Sequence, residues 1–304
     1  MRNGPHILLC SEFGTGKSTF AASLIACPPQ LKSNLPVLVQ GFDGDSKLTP
    51  YRKRGDRIVR DGNIEHVFKG AKEVAVIESW QEKEARGGLG ITMKNGQKAP
   101  SIKYAKQGES FERYLERMVD FYDEVQEGRY WAVVVDSGTS MEYAARSYLQ
   151  GVMLVSDGGM VYAQTADELE RFLMATFPNL PVTTIVIVHA LPQKEMGLDD
   201  RGKRRKVRGT PGDVPYEIRL PGRLANDPYG TYGEIYRAYV EFEKDEGGKK
   251  RPVYYVQTER DELWRCQSQL GVESPLGPNP TFLNVYKKAL PYTGEVESEE
   301  KNEA

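Results

Sequence analysis

The sequence predicts an α/β protein built on a mostly parallel, doubly wound sheet. Short apolar runs, typical of strands buried on both faces, alternate with helical patterns along the first two thirds of the chain. The first run leads directly into a glycine-bearing turn, and a later one ends in an acidic residue. These runs span residues 6–10, 35–42, 74–77, 130–135 and 183–188.

Size and composition predict one large soluble domain. The chain has 304 residues, 39% of them hydrophobic and 28% charged, and this length and composition suffice for a sizeable core. Its net charge of −2 favours no particular kind of partner. We expect a single domain over residues 1–293 and an acidic, disordered tail over 294–304. Cys10, Cys27 and Cys266 are too widely spaced for a metal site, and their odd number argues against a disulfide framework.

The membrane and secretory classes are not expected. No apolar run approaches the length that spans a bilayer. The first strand begins within ten residues of the N-terminus, which leaves no room for a signal peptide. We therefore expect a cytoplasmic protein.

The turn at 11–19, Ser-Glu-Phe-Gly-Thr-Gly-Lys-Ser-Thr, is a candidate phosphate-binding loop. Main-chain amides of such a loop face phosphate oxygens, with Lys17 on the β- and γ-phosphates and Ser18 on Mg²⁺. The motif ordinarily begins with glycine, so Ser11 is a departure that would be unfavourable if this position required positive φ. ATP and Mg²⁺ are the expected ligands. The predicted nucleotide-binding residues are Phe13, Gly14, Thr15, Gly16, Lys17, Ser18 and Thr19.

Asp136 follows the apolar run 130–135 and is the second candidate site residue. Ligands of open α/β sheets bind at the carboxyl ends of the strands, so Asp136 and the loop can converge on one metal ion. Ser18 and Asp136 are therefore the predicted metal ligands. The alternative is that Asp136 only caps the helix that follows it.

Three further segments complete the organisation of the chain. The pattern of residues 81–108 predicts a hairpin-like insertion around Asn95-Gly96. Residues 110–126 predict a helix with Phe111, Val119 and Tyr122 on one apolar face. Residues 234–243 and 252–258 predict an antiparallel hairpin at the edge of the sheet.

Taken in order, these motifs resemble the RecA-like P-loop ATPase core, and within it the phage-type ATPases of single-strand annealing and recombination. The resemblance covers roughly residues 6–265. It makes residues 133–137 similar to the Walker B strand and assigns the water-orienting carboxylate to Asp45, with Asp43 and Glu142 as alternatives. It also places His189 at the end of the sensor strand, where RecA has glutamine.

The resemblance implies DNA contacts in two segments. Residues 156–160 fall where the first DNA-binding loop would be, and about 191–223 would be the second. Basic residues there can neutralise phosphates without reading base sequence, although a solvated loop is the alternative. Arg260 is the first candidate for a finger that reaches a neighbouring subunit's nucleotide, ahead of Lys244 and Arg237. The predicted DNA-binding residues are Lys203, Arg204, Arg205, Lys206 and Arg208.

The function that these features imply is DNA-stimulated ATP hydrolysis by a recombinase or annealing ATPase bound to single-stranded DNA. The implied partners are further copies of the chain in a ring or filament and a single-strand-binding protein, in the host cytoplasm if the protein is phage-encoded. A helicase loader acting on a protein partner and a nucleotide-gated DNA-binding module without turnover are the alternatives.

Overall fold

The computed structural model describes residues 4–27, 34–80, 90–94, 97–101, 109–155, 157–198, 204–208, 215–225, 228–244 and 248–293. For residues 45, 90–94, 97–101, 195–198, 204–208, 222–223 and 289–293 the description covers the main chain only. The predicted tail at 294–304 and Lys203 therefore lie outside the described residues.

A single large sheet dominates the described structure, and two separate hairpins accompany it. Its central strands are apolar and almost fully buried, as expected for strands covered on both faces. The strands in chain order are β1 (His6–Ser11), β2 (Val37–Gly41), β3 (Arg57–Asp61), β4 (Ile64–Lys69), β5 (Lys72–Ser79), β6 (Gly90–Lys94), β7 (Gln97–Ser101), β8 (Ala132–Asp136), β9 (Thr183–Pro192), β10 (Lys194–Leu198), β11 (Arg204–Arg208), β12 (Tyr216–Ile218), β13 (Glu234–Lys244), β14 (Lys250–Gln257) and β15 (Gln267–Ser268).

The main sheet has the order β14-β13-β1-β9-β8-β2-β5-β4-β3, with β12 attached to β9 and β15 to β13. Strands β13, β1, β9, β8, β2 and β5 run parallel to one another. Strand β14 pairs with β13 in the antiparallel sense, which makes the predicted hairpin at the sheet edge. The predicted fold class is therefore confirmed as α/β, with a mostly parallel sheet and an antiparallel C-terminal hairpin.

Helices cover both faces of the sheet and give the fold two apolar cores. On β8, Val133 and Val135 belong to one core and Val134 to the other, because successive side chains of a strand point to opposite faces. The first core includes buried residues of α3, α4 and α5, and the second those of α1, α2 and α7. The helices are α1 (Lys17–Ala22), α2 (Thr49–Arg52), α3 (Glu109–Gln126), α4 (Gly138–Gly151), α5 (Gly158–Leu169), α6 (Pro228–Thr231) and α7 (Phe282–Thr293).

Two predictions about the helices were wrong in detail. The buried face of α3 consists of Phe111, Tyr114, Met118, Phe121 and Val125, whereas Val119 and Tyr122 are exposed. The spacing of three and four residues among the buried side chains is the one that aligns them on one side of a helix.

The segment predicted as a first DNA-binding loop is largely helical, because Gly158 begins α5. The side chain of Asp157 caps this helix by accepting a hydrogen bond from the Met160 amide at 2.7 Å.

Strands also occur where loops were predicted. The segment predicted as a second DNA-binding loop contains β10, β11 and β12, and β10 pairs with β11 in an antiparallel hairpin. Strands β3 and β4 and helix α7 were not predicted. Strands β6 and β7 pair within the predicted insertion, with Lys94 opposite Gln97. The predicted turn residues Asn95 and Gly96 lie outside the described residues.

Helix α7 closes the second core through Phe282. The Phe282 ring is fully buried and lies edge-on to Trp131, with 6.3 Å between ring centroids. Its main-chain amide donates to the hydroxyl of Ser23, at 2.7 Å, in the short turn that follows α1. The C-terminal helix therefore supports the end of the helix that begins at the phosphate-binding loop.

We predict that Phe282→Ala lowers the free energy of unfolding by about 3–5 kcal/mol, because it leaves a cavity between α7 and Trp131. Urea denaturation followed by tryptophan fluorescence measures this change. The matched control is Phe242→Ala, because Phe242 is 64% exposed and its loss should change stability by less than about 0.5 kcal/mol. Equal effects of the two substitutions would contradict the packing of α7.

Candidate functional site

The loop between β1 and α1 has the backbone of a phosphate-binding turn. Gly14 and Gly16 have φ values of 77° and 86°, which glycine adopts without strain. Gly16 also lies against Tyr254, and an added Cβ would come within 2.6 Å of that ring. Ser11 is the last residue of β1 and pairs with His189 of β9, so this position does not have the positive φ that glycine would be needed for.

Lys17 lies in this loop with its side chain buried. Its ammonium donates hydrogen bonds to the carbonyl of Ser11 at 3.2 Å, to the hydroxyl of Ser11 at 3.3 Å and to the carbonyl of Glu12. Burial, with a smaller contribution from the positive charge of Lys47, lowers the pKa of Lys17 to about 8. The loop thus holds a positive charge beside the amides that would face phosphate oxygens.

Asp136 ends the central strand β8 and is almost completely buried. Its carboxylate accepts a hydrogen bond from the Tyr51 hydroxyl at 2.8 Å and another from the hydroxyl of Ser18. Burial raises its pKa to about 6 despite these two donors. The structure therefore brings together Ser18 and Asp136, the two predicted metal ligands, and adds Tyr51.

This donor set fits a magnesium ion. A buried carboxylate and a hydroxyl are hard oxygen ligands, and Mg²⁺ is ordinarily held by one or two such groups together with substrate phosphates. Among the described residues there is no cluster of three or more His, Cys, Asp or Glu side chains that could hold a metal ion alone.

Asp43 is the second carboxylate that lines the cleft. It follows β2, and its Oδ1 accepts hydrogen bonds from the hydroxyls of Ser137 and Ser140 at the start of α4. Asp45, which was preferred from the sequence, begins a 3₁₀ turn at 45–48, and its side chain lies outside the description. Glu142 is on α4 and pairs with Arg146, so it is occupied by an ion pair.

His189 is a buried residue that lines the cleft and stacks on the ring of Phe13. The two rings stack with 3.9 Å between centroids and an interplanar angle of 25°. Neither imidazole nitrogen has a well-formed hydrogen bond to a described residue, although the main chain of Ser11 is close. Burial and the positive charge of Lys17 lower the pKa of His189 to about 4, so the ring is neutral at physiological pH.

These groups surround one cleft of about 200 Å³. Its walls are the phosphate-binding loop, the turn after β2 and the ends of β8 and β9. Tyr254 of β14 separates it from a second hollow of about 190 Å³ with mostly apolar walls. The residues that line the first cleft are Gly14, Thr15, Gly16, Lys17, Ser18, Thr19, Asp43, Ser46, Lys47, Pro50, Asp136, Ile187, His189 and Tyr254.

The second hollow has the character of a site for a flat, apolar group next to the phosphate cleft. Tyr254 forms its shared wall, and Phe20 and Ala238 contribute apolar surface. Two hydrogen bonds to Asn279 hold the main chain of Tyr254. The Asn279 main-chain amide donates to the Tyr254 carbonyl at 2.7 Å, and the Tyr254 amide donates to Asn279 Oδ1 at 3.2 Å. Sequence reasoning missed Tyr51, Lys47 and Tyr254, because each reaches the cleft only through tertiary packing.

The remaining predicted site residues lie away from the cleft. Arg260 is exposed just beyond the end of β14, beside Glu259 and Asp261. Arg204, Arg205, Lys206 and Arg208 belong to β11, whose partner β10 begins two residues after β9 ends. Strand β12 returns from this hairpin, and its Tyr216 hydroxyl donates to Glu12 Oε1 of the phosphate-binding loop at 3.3 Å.

Comparison with known proteins gives structural likeness at low sequence identity. No protein-family model matches the sequence, and no curated protein matches it significantly. Among solved structures, the chain is similar to a KaiC-like protein from the hyperthermophilic archaeon Pyrococcus horikoshii, at 15% identity and a TM-score of 0.35. The match covers 88% of this chain and 84% of that one.

In the described part of the chain, no helix has the length and apolar character needed to cross a membrane.

The lowered pKa of His189 predicts a pH-dependent stability. The native state binds fewer protons at this residue than the unfolded state between pH 6.5 and about 4, so stability is lost as pH falls through that range. We expect His189→Gln to remove this loss, which amounts to about 2 kcal/mol at pH 5. Urea denaturation of both proteins at pH 8 and pH 5 measures it.

The comparison isolates His189 because His6, whose pKa is also lowered to about 4 by burial, is present in both proteins. His66→Gln is the control, since that ring lies outside the cleft and pairs with Glu73. A difference between wild type and His189→Gln that is the same at both pH values would contradict the burial of a neutral imidazole.

Proposed function

We propose that the protein is an ATPase whose phosphate-binding cleft hydrolyses ATP and whose activity responds to single-stranded DNA. The observation that carries the proposal is the convergence of Lys17, Ser18 and Asp136 in one cleft. A buried ammonium beside loop amides suits a polyphosphate, because both stabilise negative charge. The adjacent apolar hollow suits the nucleobase, with Tyr254 as the surface on which it packs.

The proposed reaction is attack by water on the γ-phosphorus. A bond forms between the water oxygen and phosphorus, the bond to the β–γ bridging oxygen breaks, and ADP leaves with the electron pair. The protons of the water end on inorganic phosphate and in solvent. Asp43 orients this water, because it is the carboxylate among the described side chains that lines the cleft and is not the predicted metal ligand.

The other groups of the cleft stabilise charge. Lys17 leaves the carbonyls of Ser11 and Glu12 and contacts the transferring phosphoryl group, as the loop amides contact the remaining oxygens. Mg²⁺, held by Ser18 and Asp136, would supply neutralisation of the phosphate charge. His189, neutral and close to Lys17, can donate one hydrogen bond to an oxygen at the γ-phosphate position.

Connections between the cleft and the basic hairpin support a role for DNA. Strand β9 carries His189 at the cleft and continues to β10, and β12 returns to contact Glu12. Four basic residues in β11 give the hairpin a charge that suits a phosphate backbone. A rearrangement at the nucleotide can therefore move the hairpin, and DNA bound there can act on the cleft.

We further propose that subunits assemble into a ring or filament, in which Arg260, or else Lys244 or Arg237, completes a neighbour's site. Among the described residues, Lys17 and Lys47 are the cationic side chains that line the cleft, so a further cation would have to come from another subunit. An exposed Arg260 at the far end of β14 is available to another copy. Recombination or annealing, in phage replication and together with a single-strand-binding protein, remains the proposed physiological setting.

ATP hydrolysis measured with and without single-stranded DNA tests the proposal. We expect the wild-type rate to rise when DNA is added, and Lys17→Ala to lack activity in both conditions. Replacing Arg204, Arg205 and Lys206 together with alanine should abolish the stimulation and leave the basal rate. DNA affinity is also measured at several salt concentrations. The slope of log affinity against log salt should be about 2 units shallower for the same variant than for the wild type.

Each other outcome selects an alternative. Slow hydrolysis that DNA does not change would favour a helicase loader acting on a protein partner. Nucleotide binding without hydrolysis would favour a nucleotide-gated binding module. A triple variant with normal stimulation would remove the basic hairpin from the DNA-binding surface.

We predict that Asp43→Asn lowers the turnover number of the ATPase by about 100-fold or more and changes ADP affinity little, because the water-orienting carboxylate acts only in the chemical step. Asp45→Asn is the matched comparison, two residues along the same turn. Steady-state kinetics and ADP titration measure the two effects. A larger loss in Asp45→Asn than in Asp43→Asn would reverse the assignment.

A further inference from the structure

Lys47 is a second cation in the cleft, and neither the loop motif nor the metal site accounts for it. It belongs to the 3₁₀ turn at 45–48, after β2, and its side chain lines the cleft opposite the phosphate-binding loop. Its charge contributes to the lowered pKa values of both Lys17 and His189, which places its ammonium within electrostatic reach of both.

The side chain of Lys47 lies over an aromatic ring. Its ammonium is 5.9 Å from the centroid of Phe13, the residue of the loop that also stacks on His189. A cation at this distance from an aromatic face is attracted to the ring but remains free to leave it, since such contacts at exposed sites are weak. Among the described side chains, no carboxylate lies within ion-pair distance of Lys47. Among the side chains that the structure describes, its charge therefore faces the cleft without a fixed acidic partner.

The turn that carries Lys47 is held in place from within the second core. Leu48 is fully buried and packs against Gly41, where an added Cβ would come within 2.6 Å of the Leu48 side chain. Tyr51, in the helix that follows, is also fully buried and bonds to Asp136. The Lys47 amide donates to the Gly44 carbonyl at 2.8 Å. The main chain of Lys47 is thus fixed on both sides while its side chain reaches into the cleft.

We propose that Lys47 is a catalytic residue that contacts the γ-phosphate from its own chain and stabilises the charge of the transferring phosphoryl group. The inference rests on the proposed ATPase function. In the absence of nucleotide the ring of Phe13 holds the ammonium at the cleft mouth. When a triphosphate binds, the ammonium moves from the ring to the γ-phosphate oxygens, where a charge-assisted hydrogen bond is stronger than the contact with the ring. This gives each site a cation that does not depend on a neighbouring subunit.

The test compares Lys47→Ala, Lys47→Gln and Lys47→Arg with Lys53→Ala. Lys53 is exposed on the outer side of the same segment and does not line the cleft, so it controls for loss of a lysine. Turnover number and ADP affinity are measured for the full chain. We expect Lys47→Ala and Lys47→Gln to lose about 100-fold or more in turnover, as when a transition-state donor is removed, with ADP affinity changed less than threefold. Lys47→Arg should retain a larger part of the turnover because it keeps the positive charge.

The outcomes separate this inference from the function on which it rests. If the wild-type chain hydrolyses no ATP, the proposed function fails and the catalytic assignment of Lys47 fails with it. If the wild-type chain is active and Lys47→Ala stays within threefold of it, Lys47 is not catalytic while the ATPase function stands. An equal loss of turnover and ADP affinity would show that Lys47 only binds nucleotide, and would also overturn the proposal.

Discussion

The carboxylate of Asp136 joins the three elements on which the cleft depends. It ends the central strand β8, accepts a hydrogen bond from Ser18 at the start of α1 and another from Tyr51 of α2. The next residue, Ser137, caps α4 and contributes to the hydrogen bonds that hold Asp43. Because a buried carboxylate without donors would be costly, these bonds require α1, α2 and β8 to meet at one point. The geometry of the phosphate-binding loop follows from that meeting point.

Burial shifts the pKa values of three titratable groups of the cleft toward their neutral forms. Burial lowers the pKa of Lys17 and His189 and raises that of Asp136. Each shift means that the folded chain holds the charged form at a cost. A bound magnesium–triphosphate complex would provide the missing opposite charges, with phosphate against Lys17 and the metal ion against Asp136. Binding of such a ligand would therefore lower the electrostatic free energy of these buried groups. In the free chain, holding them in position lowers the free energy of unfolding.

The sequence was sufficient to predict the fold class and the convergence of Ser18 with Asp136. The loop after β1 and Asp136 at the end of β8 can each be recognised from a short stretch of sequence. A parallel sheet places the carboxyl ends of its strands at one edge, so the predicted fold class is enough to bring the two together. Ser11 was harder to judge, because whether its φ must be positive depends on the pairing of β1 with β9. The sequence favoured Asp45 over Asp43, although both follow β2. The hydrogen bond that Asp43 accepts from Ser140 depends on the packing of α4, which the sequence does not reveal.

Other features could not be predicted because they are tertiary. Tyr254 reaches the loop from a hairpin more than 200 positions away, and its role depends on the close approach of Gly16. Helix α7 lacks a strong sequence signal and is defined by the burial of Phe282 against Trp131. The position of residues 191–223 after β9 led to the prediction of a DNA-binding loop. Much of that segment instead forms strands β10, β11 and β12, whose pairing is seen only in the folded chain.

A structure of the full chain with Mg²⁺ and a non-hydrolysable ATP analogue tests the nucleotide site most directly. We predict phosphate oxygens within about 3 Å of the loop amides at residues 14–18. The Lys17 ammonium should have left the carbonyls of Ser11 and Glu12 for the phosphates, and the nucleobase should lie against Tyr254. An analogue bound elsewhere, with Lys17 still on those two carbonyls, would contradict the account.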